Sequence, residues 1–278
     1  MKVLHNFKIV YKDGTVYDMA SDFNVLVRSF SISSPSPNIE SETLDDGDGY
    51  VRMGKTWGPR NISALCMFSA VDDYDYSLLV NKLFRVLMSR DEYYLIADAE
   101  PWRRWLVEVS SEWSADQLGS TGEFQLSFIS ASPYAESVGT SLSNFTTDVN
   151  LWGFGNGLFA EDYRYVHTDK SFRIYNAGDA TVDPRNKPLK ITIKSKKNIS
   201  KVSISLYNAT TKDEWTYTGS MNTTLPIVIN GTRTVRSATS LTDKTNYGLI
   251  TLAPGWNSIQ VTGEEIAEVS FDFRFYYL

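Results

Sequence analysis

The chain has 278 residues, 42% of them hydrophobic, enough to bury the cores of two ordinary domains and too apolar for a disordered protein. A formal charge of −6 argues against a surface built to grip phosphates. One cysteine, Cys66, excludes an intramolecular disulfide, and no apolar run reaches the ~18 residues of a membrane span or forms a signal peptide at the start, so synthesis in the cytoplasm is expected.

In chain order, the first signal is a hairpin. "FKIVYKDGTVYDM" sets Asp13-Gly14 between two alternating runs, and that dipeptide supplies the backbone angles a tight turn needs. "FNVLVRSFSIS" reads as the next strand, and "SSPSPN" (33–38) stops regular structure with two prolines. "DDGDGYVRMG" (45–54) looks at first like a calcium loop. An EF-hand started at Asp46 puts Asp48 at position 3, but Tyr50, Val51 and Trp57 at positions 5, 6 and 12; a start at Asp45 puts Gly47 and Thr56 at ligand positions. The stretch is therefore expected to turn the chain and to hold no metal. The whole segment from Pro35 to Arg60, with isolated Met53 and Trp57, has the composition of an exposed arm.

"NISALCMFSA" alternates as a strand and places Cys66 on its buried face. A helix is expected over 72–90, with Asp72 or Asp73 as cap, acids in the first turn, and Leu79, Leu83, Val86 and Leu87 on one face. "EYYLIA", "RRWLVEVSSEW" and "EFQLSFISA" return to strand composition. Residues 132–150 are small, polar and aperiodic, and the domain boundary is placed there, giving domains 1–140 and 141–278. Beyond it, short strands with Gly, Asn and Pro between them follow one another to "EVSFDFRFYYL", the pattern of a β-sandwich or jelly-roll. The fold class expected is mainly β with one N-terminal-domain helix.

Candidate chemistry is sparse. "GFGNGL" (153–158) neither follows a clear strand nor opens a helix, as a dinucleotide loop must. His5 and His167 fall in different domains, and no carboxylate pair, Glu108 with Glu112 included, stands out from a solvated face. No catalytic residue, cofactor or metal ligand is assigned. The aromatic residues are more suggestive: Trp102 and Trp105 flank Arg103 and Arg104, and Arg with Trp anchors protein interfaces. Met53, Trp57, Arg60, Trp102, Arg103 and Arg104 are the candidate interface residues, and Trp215 and Trp256 the candidate sugar-stacking residues.

Taken together, the opening hairpin, "DGDGYVRMGKTWGPRNI", "DDYDYSLLVNKLFRVLMSRDEYYLIADAEPWRRWLVEV", "YNAGDATVDPRNKPLKITI" and "LAPGWNSIQVTG…VSFDFRFYYL" resemble the distal tail proteins of phages with long non-contractile tails. That resemblance covers essentially the whole chain. It implies an N-terminal, β-barrel-like, ring-forming domain, a C-terminal galectin-like β-sandwich, and a structural protein with no enzymatic activity. It further implies a homo-hexameric ring at the tail tip of the virion, made in the bacterial cytoplasm. Such a ring joins the tail tube protein to the tail-associated protein and carries receptor-binding or baseplate parts. DNA passes through its channel without being specifically bound, and no membrane is involved. The alternative is a carbohydrate-binding protein contacting host cell-wall polysaccharide through the C-terminal sandwich.

Overall fold

The computed structural model describes residues 5–43, 45, 48–144, 146, 148, 150–159, 162–263 and 265–278. Asp46 and Gly47 of the aspartate-rich stretch lie outside the described residues. The chain divides into two compact units after Ala135, a little ahead of the boundary expected at 140.

In the first unit, strands β1 (Phe7–Val10) and β2 (Val16–Asp18) form the expected hairpin. Gly14 takes φ +91° and donates to the Tyr11 carbonyl at 3.0 Å, while the Asp13 carboxylate accepts from the Thr15 amide at 2.8 Å, so Asp-Gly builds the turn for two separate reasons. One element was not foreseen. Helix α1 (Met19–Phe23) has Asp18 as N-cap and Asn24 in the left-handed region at φ +51° as C-cap, and it buries Met19 and Phe23. Its five residues are too few for a 3.6-residue period to show.

Next come β3 (Val25–Ile32), β4 (Pro37–Glu42), β5 (Val51–Trp57) and β6 (Arg60–Ser69). Helix α2 (Asp73–Leu87) ends three residues before Arg90, at the Met88 cap. Then β7 (Tyr93–Ala97), β8 (Arg103–Val109), β9 (Asp116–Leu118) and β10 (Thr121–Ser130) complete the body. The main sheet is antiparallel in the order β2-β1-β7-β8-β10-β6-β3, with β9 alongside β10. The sheet curls on itself. The Phe7 ring of β1 meets Phe30 of β3 at 5.8 Å and Phe128 of β10 edge-on at 5.9 Å, so both halves share one core.

Alternation accounts for that core. Along β6, Ile62, Ala64, Cys66 and Phe68 point inward and their neighbours outward, with the same period along β10 for Phe124, Leu126 and Phe128. Helix α2 lies on the core through Tyr76, Leu83, Val86 and Leu87, with Leu79 half-buried beside them. Full burial of Leu83 and Leu87 contributes about 1.5–3 kcal/mol each. Two tyrosine hydroxyls fasten the end of the helix: Tyr11 donates to the Val86 carbonyl at 2.6 Å, and Tyr93 to Leu87 at 3.0 Å.

Strand β11 (Ala135–Ser137) leads into the second unit, which contains β12 (Val166–His167), β13 (Ser171–Asn176), β14 (Leu189–Ser195), β15 (Ile199–Asn208), β16 (Asp213–Met221), β17 (Ile227–Asn230), β18 (Arg233–Arg236), β19 (Thr239–Ser240), β20 (Gly255–Thr262) and β21 (Ile266–Phe273). They form two antiparallel sheets, β12-β21-β14-β17-β18-β19 and β13-β20-β15-β16. Phe172 of one meets Phe271 of the other edge-on at 6.1 Å, and the Trp215 indole N–H donates to Thr234 Oγ1 across the gap at 3.2 Å. This is the β-sandwich expected from the strand pattern. Buried Asn176, Asn208 and Asn257 bind the backbone of the strand-poor stretch before β20: Asn208 Nδ2 donates to the Thr251 carbonyl at 2.8 Å, and Asn257 Nδ2 to Ala253 at 2.7 Å.

Candidate assembly surfaces

The arm expected between Pro35 and Arg60 is a two-stranded ribbon, β4 paired antiparallel with β5, forming a sheet of its own. Regular structure therefore resumes at Pro37, inside the stretch whose prolines were expected to interrupt it. Pro37 pairs with Trp57 and Ile39 with Lys55, so these four side chains share one face, and the Lys55 ammonium sits 4.2 Å from the centre of the Trp57 ring. A bulge between Glu40 and Ser41 leaves Met53 unpaired and 66% exposed. Every β4 residue is exposed, and in β5 only Gly54 is partly covered. A two-stranded ribbon in water is marginally stable at best, and its edges offer unpaired N–H and C=O groups. The ribbon therefore presents nearly all of its side chains to solvent.

Its root is firmly held. The Ser33 amide donates to the Asn61 carbonyl at 2.9 Å, the Asn61 amide to Ser33 Oγ at 3.1 Å, and the Gly58 amide to Ser36 at 2.7 Å. Arg60 is only 8% exposed: its Nε donates to the Ser33 carbonyl at 2.9 Å, its Nη1 to Pro133 at 3.3 Å, and its guanidinium lies 5.1 Å from the Trp105 ring centre. Burial, and secondarily Arg103, pulls its pKa below the ordinary arginine value.

The other candidates divide by environment. Trp102 is buried, and Arg103 is enclosed between the Trp102 and Trp105 rings (5.3 and 5.8 Å) while its Nε donates to Glu100 at 2.9 Å. The Arg104 guanidinium lies 3.6 Å from the Tyr94 ring centre. Arg60, Trp102 and Arg103 thus form one internal cluster beneath the ribbon root, whereas Met53 and Trp57 are presented to solvent. Of the sugar-stacking pair, Trp215 is 1% exposed and its N–H is used within the sandwich, so no sugar reaches it; that expectation fails because the alternation of β16 turns it inward. Trp256 is partly exposed, but the Arg173 guanidinium lies 4.6 Å from its ring centre and Tyr175 packs at 4.9 Å.

One surface escaped the sequence reading. On the side of α2 away from the core, Tyr74 and Leu78 are 86% and 60% exposed, with Val71 beside the N-cap 90% exposed. Asp72 Oδ1 accepts from the Asp75 amide at 2.8 Å and Asp75 Oδ2 from the Val71 amide at 3.0 Å, a reciprocal cap that fixes this acidic first turn. The i,i+4 spacing of Tyr74 and Leu78 was visible in the sequence, masked by the stronger stripe opposite.

Among the described residues no three His, Cys, Asp or Glu cluster as metal ligands, and no helix is long and apolar enough to cross a membrane. Burial pushes the Cys66 thiol up to about 12. His167 stacks on Phe172 at 4.1 Å, with Nε2 2.9 Å from the Arg164 carbonyl. In "GFGNGL", Gly157 takes φ +84°, and a Cβ there would sit 2.3 Å from the Ala177 carbonyl oxygen, so this glycine serves close backbone packing.

Comparison with known proteins fits this picture. Residues 12–130, nearly all of the first unit, match the family model of the phage tail protein RIFT-related domain. The crystal structure of the phage SPP1 Dit (gp 19.1) protein superposes with a TM-score of 0.71 at 14% identity, covering 97% of this chain and 99% of that one. The chain has the fold of a phage distal tail protein. A chain of the phage p2 baseplate in its activated conformation, solved with Sr and again with Ca, shares this Dit-like fold at a TM-score of 0.52 and 10% identity, with 97–98% of both chains covered. No curated protein sequence matches the chain.

Proposed function

We propose that this protein is a structural hub at the distal end of a long non-contractile phage tail. In this reading the first unit assembles as a homo-hexameric ring joining the tail tube protein to the tail-associated protein, with a channel through which DNA passes. The second unit carries host-adhesion parts, and the chain works as scaffold with no catalytic step. The observation that carries this is coverage: both units, over 97% of the chain, follow a Dit described as a paradigm of the hub adsorption apparatus in phages infecting Gram-positive bacteria. The free β4–β5 ribbon supports it, since a subunit that closes a ring makes head-to-tail contacts and needs a surface extended toward its neighbour. The net charge of −6 suits a conduit that does not hold DNA.

The test is antibody labelling of intact virions, with gold-conjugated antibody raised against the purified chain. Label confined to the end of the tail away from the capsid is expected. Label on the capsid or along the tube, or no virion label, would overturn the proposal.

A further inference from the structure

Two exposed surfaces of the first unit are unpartnered and complementary. The ribbon face of Ile39, Met53 and Trp57 is apolar and carries the Lys55 ammonium; beyond it the exposed acids Glu42, Asp45 and Asp48 lie toward the tip. The outer side of α2 is arranged in the opposite sense. Asp72, Asp73 and Asp75 cluster at its N-terminus, Tyr74 and Leu78 follow, and the exposed cations Lys82 and Arg85 occupy its later turns.

The lengths agree as well. Seven β5 residues span about 23 Å at ~3.3 Å each. Fifteen α2 residues span about 22 Å at ~1.5 Å each. With Lys55 set against Asp75, Met53 lies about 7 Å further along β5 and Leu78 about 4.5 Å further along the helix, so the two stand within about 2 Å of the same height. A further two residues along β5 reach Val51 and its partner Glu42, about 13 Å from Lys55 and between the heights of Lys82 and Arg85, about 11 and 15 Å past Asp75.

The ribbon does not cover its own helix: Met53, Tyr74 and Leu78 are all exposed. It is rooted at Arg60, the start of β6, whereas α2 begins just past Ser69, its end, and ten strand residues separate these points by about 33 Å. We infer that the β4–β5 ribbon of one copy lies along the outer face of α2 in a second copy, Lys55 toward the helix N-terminus and Met53 on Leu78. Because donor and acceptor surfaces differ, the contact is heterologous and repeats from copy to copy. The inference rests on the ring reading above and names the surfaces that would close the ring.

The experiment is disulfide trapping in the full chain, where Cys66 is the sole native cysteine and is buried. Met53→Cys combined with Leu78→Cys is oxidised and run on a denaturing gel, with each single variant as control and the assembly state measured by native mass spectrometry. The double variant should give a ladder of covalent oligomers, and each single variant nothing beyond a dimer. Oligomers in the native spectrum without a ladder would overturn this docking and leave the ring reading standing. A monomer at every concentration would overturn both. A second double variant, Lys55→Cys with Asp75→Cys, must trap the same ladder; a ladder from neither pair sinks the register.

Discussion

Arg60 was expected at a subunit contact, yet the structure makes it a clamp, and replacing it measures that difference. In Arg60→Met the two hydrogen bonds from the guanidinium to the Ser33 and Pro133 carbonyls disappear, as does its stacking on Trp105. A hydrogen bond from a charged donor contributes about 1.5–3 kcal/mol, with the 3.3 Å bond at the low end. The cation–π contact adds about 1–2 kcal/mol in a desolvated setting. Methionine fills part of the volume and recovers about 1 kcal/mol, leaving a net loss of about 3–5 kcal/mol. The assay is hydrogen exchange of the full chain, read by mass spectrometry on peptides covering β3 and β6, with peptides from β14 and β15 as internal control. At about 1.4 kcal/mol per tenfold, exchange in the first set should accelerate about a hundred- to a few-thousand-fold. Arg60→Lys, which keeps the charge and loses the planar fork, should fall between. Acceleration under about threefold, or equal acceleration in β14 and β15, would refute the clamp.

Three further outcomes follow from the two cores. Leu83→Ala, at a fully buried position of α2, should cost about 2–5 kcal/mol and loosen only the first unit; no change in its exchange would mean the helix does not seal the core. Gly248→Ala puts a Cβ about 1.9 Å from the Glu214 carbonyl oxygen and should lower the unfolding temperature of the second unit, measured by differential scanning calorimetry; an unchanged value would contradict the close approach. Burial, more than its hydrogen bond to Arg164 offsets, lowers the His167 pKa below its ordinary value, so the unfolded chain takes up this proton first. The contribution of His167 to stability should then fall as pH drops through about 6.5, and an NMR titration midpoint at or above that value would reverse the sign.

Much of the fold was legible because period and burial coincide. β6, β10 and most sandwich strands alternate with one face inward, and α2 shows its stripe between an acidic cap and a basic end. What was missed follows the same logic. Helix α1 is shorter than two turns, and the ribbon alternates between two wet faces, so nothing in its pattern of apolar residues demanded a strand. Composition placed Trp57 and Met53 correctly at the surface. It gave no means of telling them from Trp102 or Arg60, whose burial depends on Trp105 and Ser33, partners distant in sequence. Trp215 of β16 and Trp256 of β20 stand in the same sheet with β15 between them, yet only the observed register turns the first into the core. The aspartate-rich loop joins the two strands of the ribbon, with the exposed Asp45 and Asp48 between them.

The measurement that bears most directly on the central claim is imaging of the purified chain by negative-stain electron microscopy with two-dimensional class averaging. At tens of micromolar the hub account predicts six-fold rings with an open centre. A population of monomers or closed two-fold dimers throughout that range, with no ring class, would contradict it.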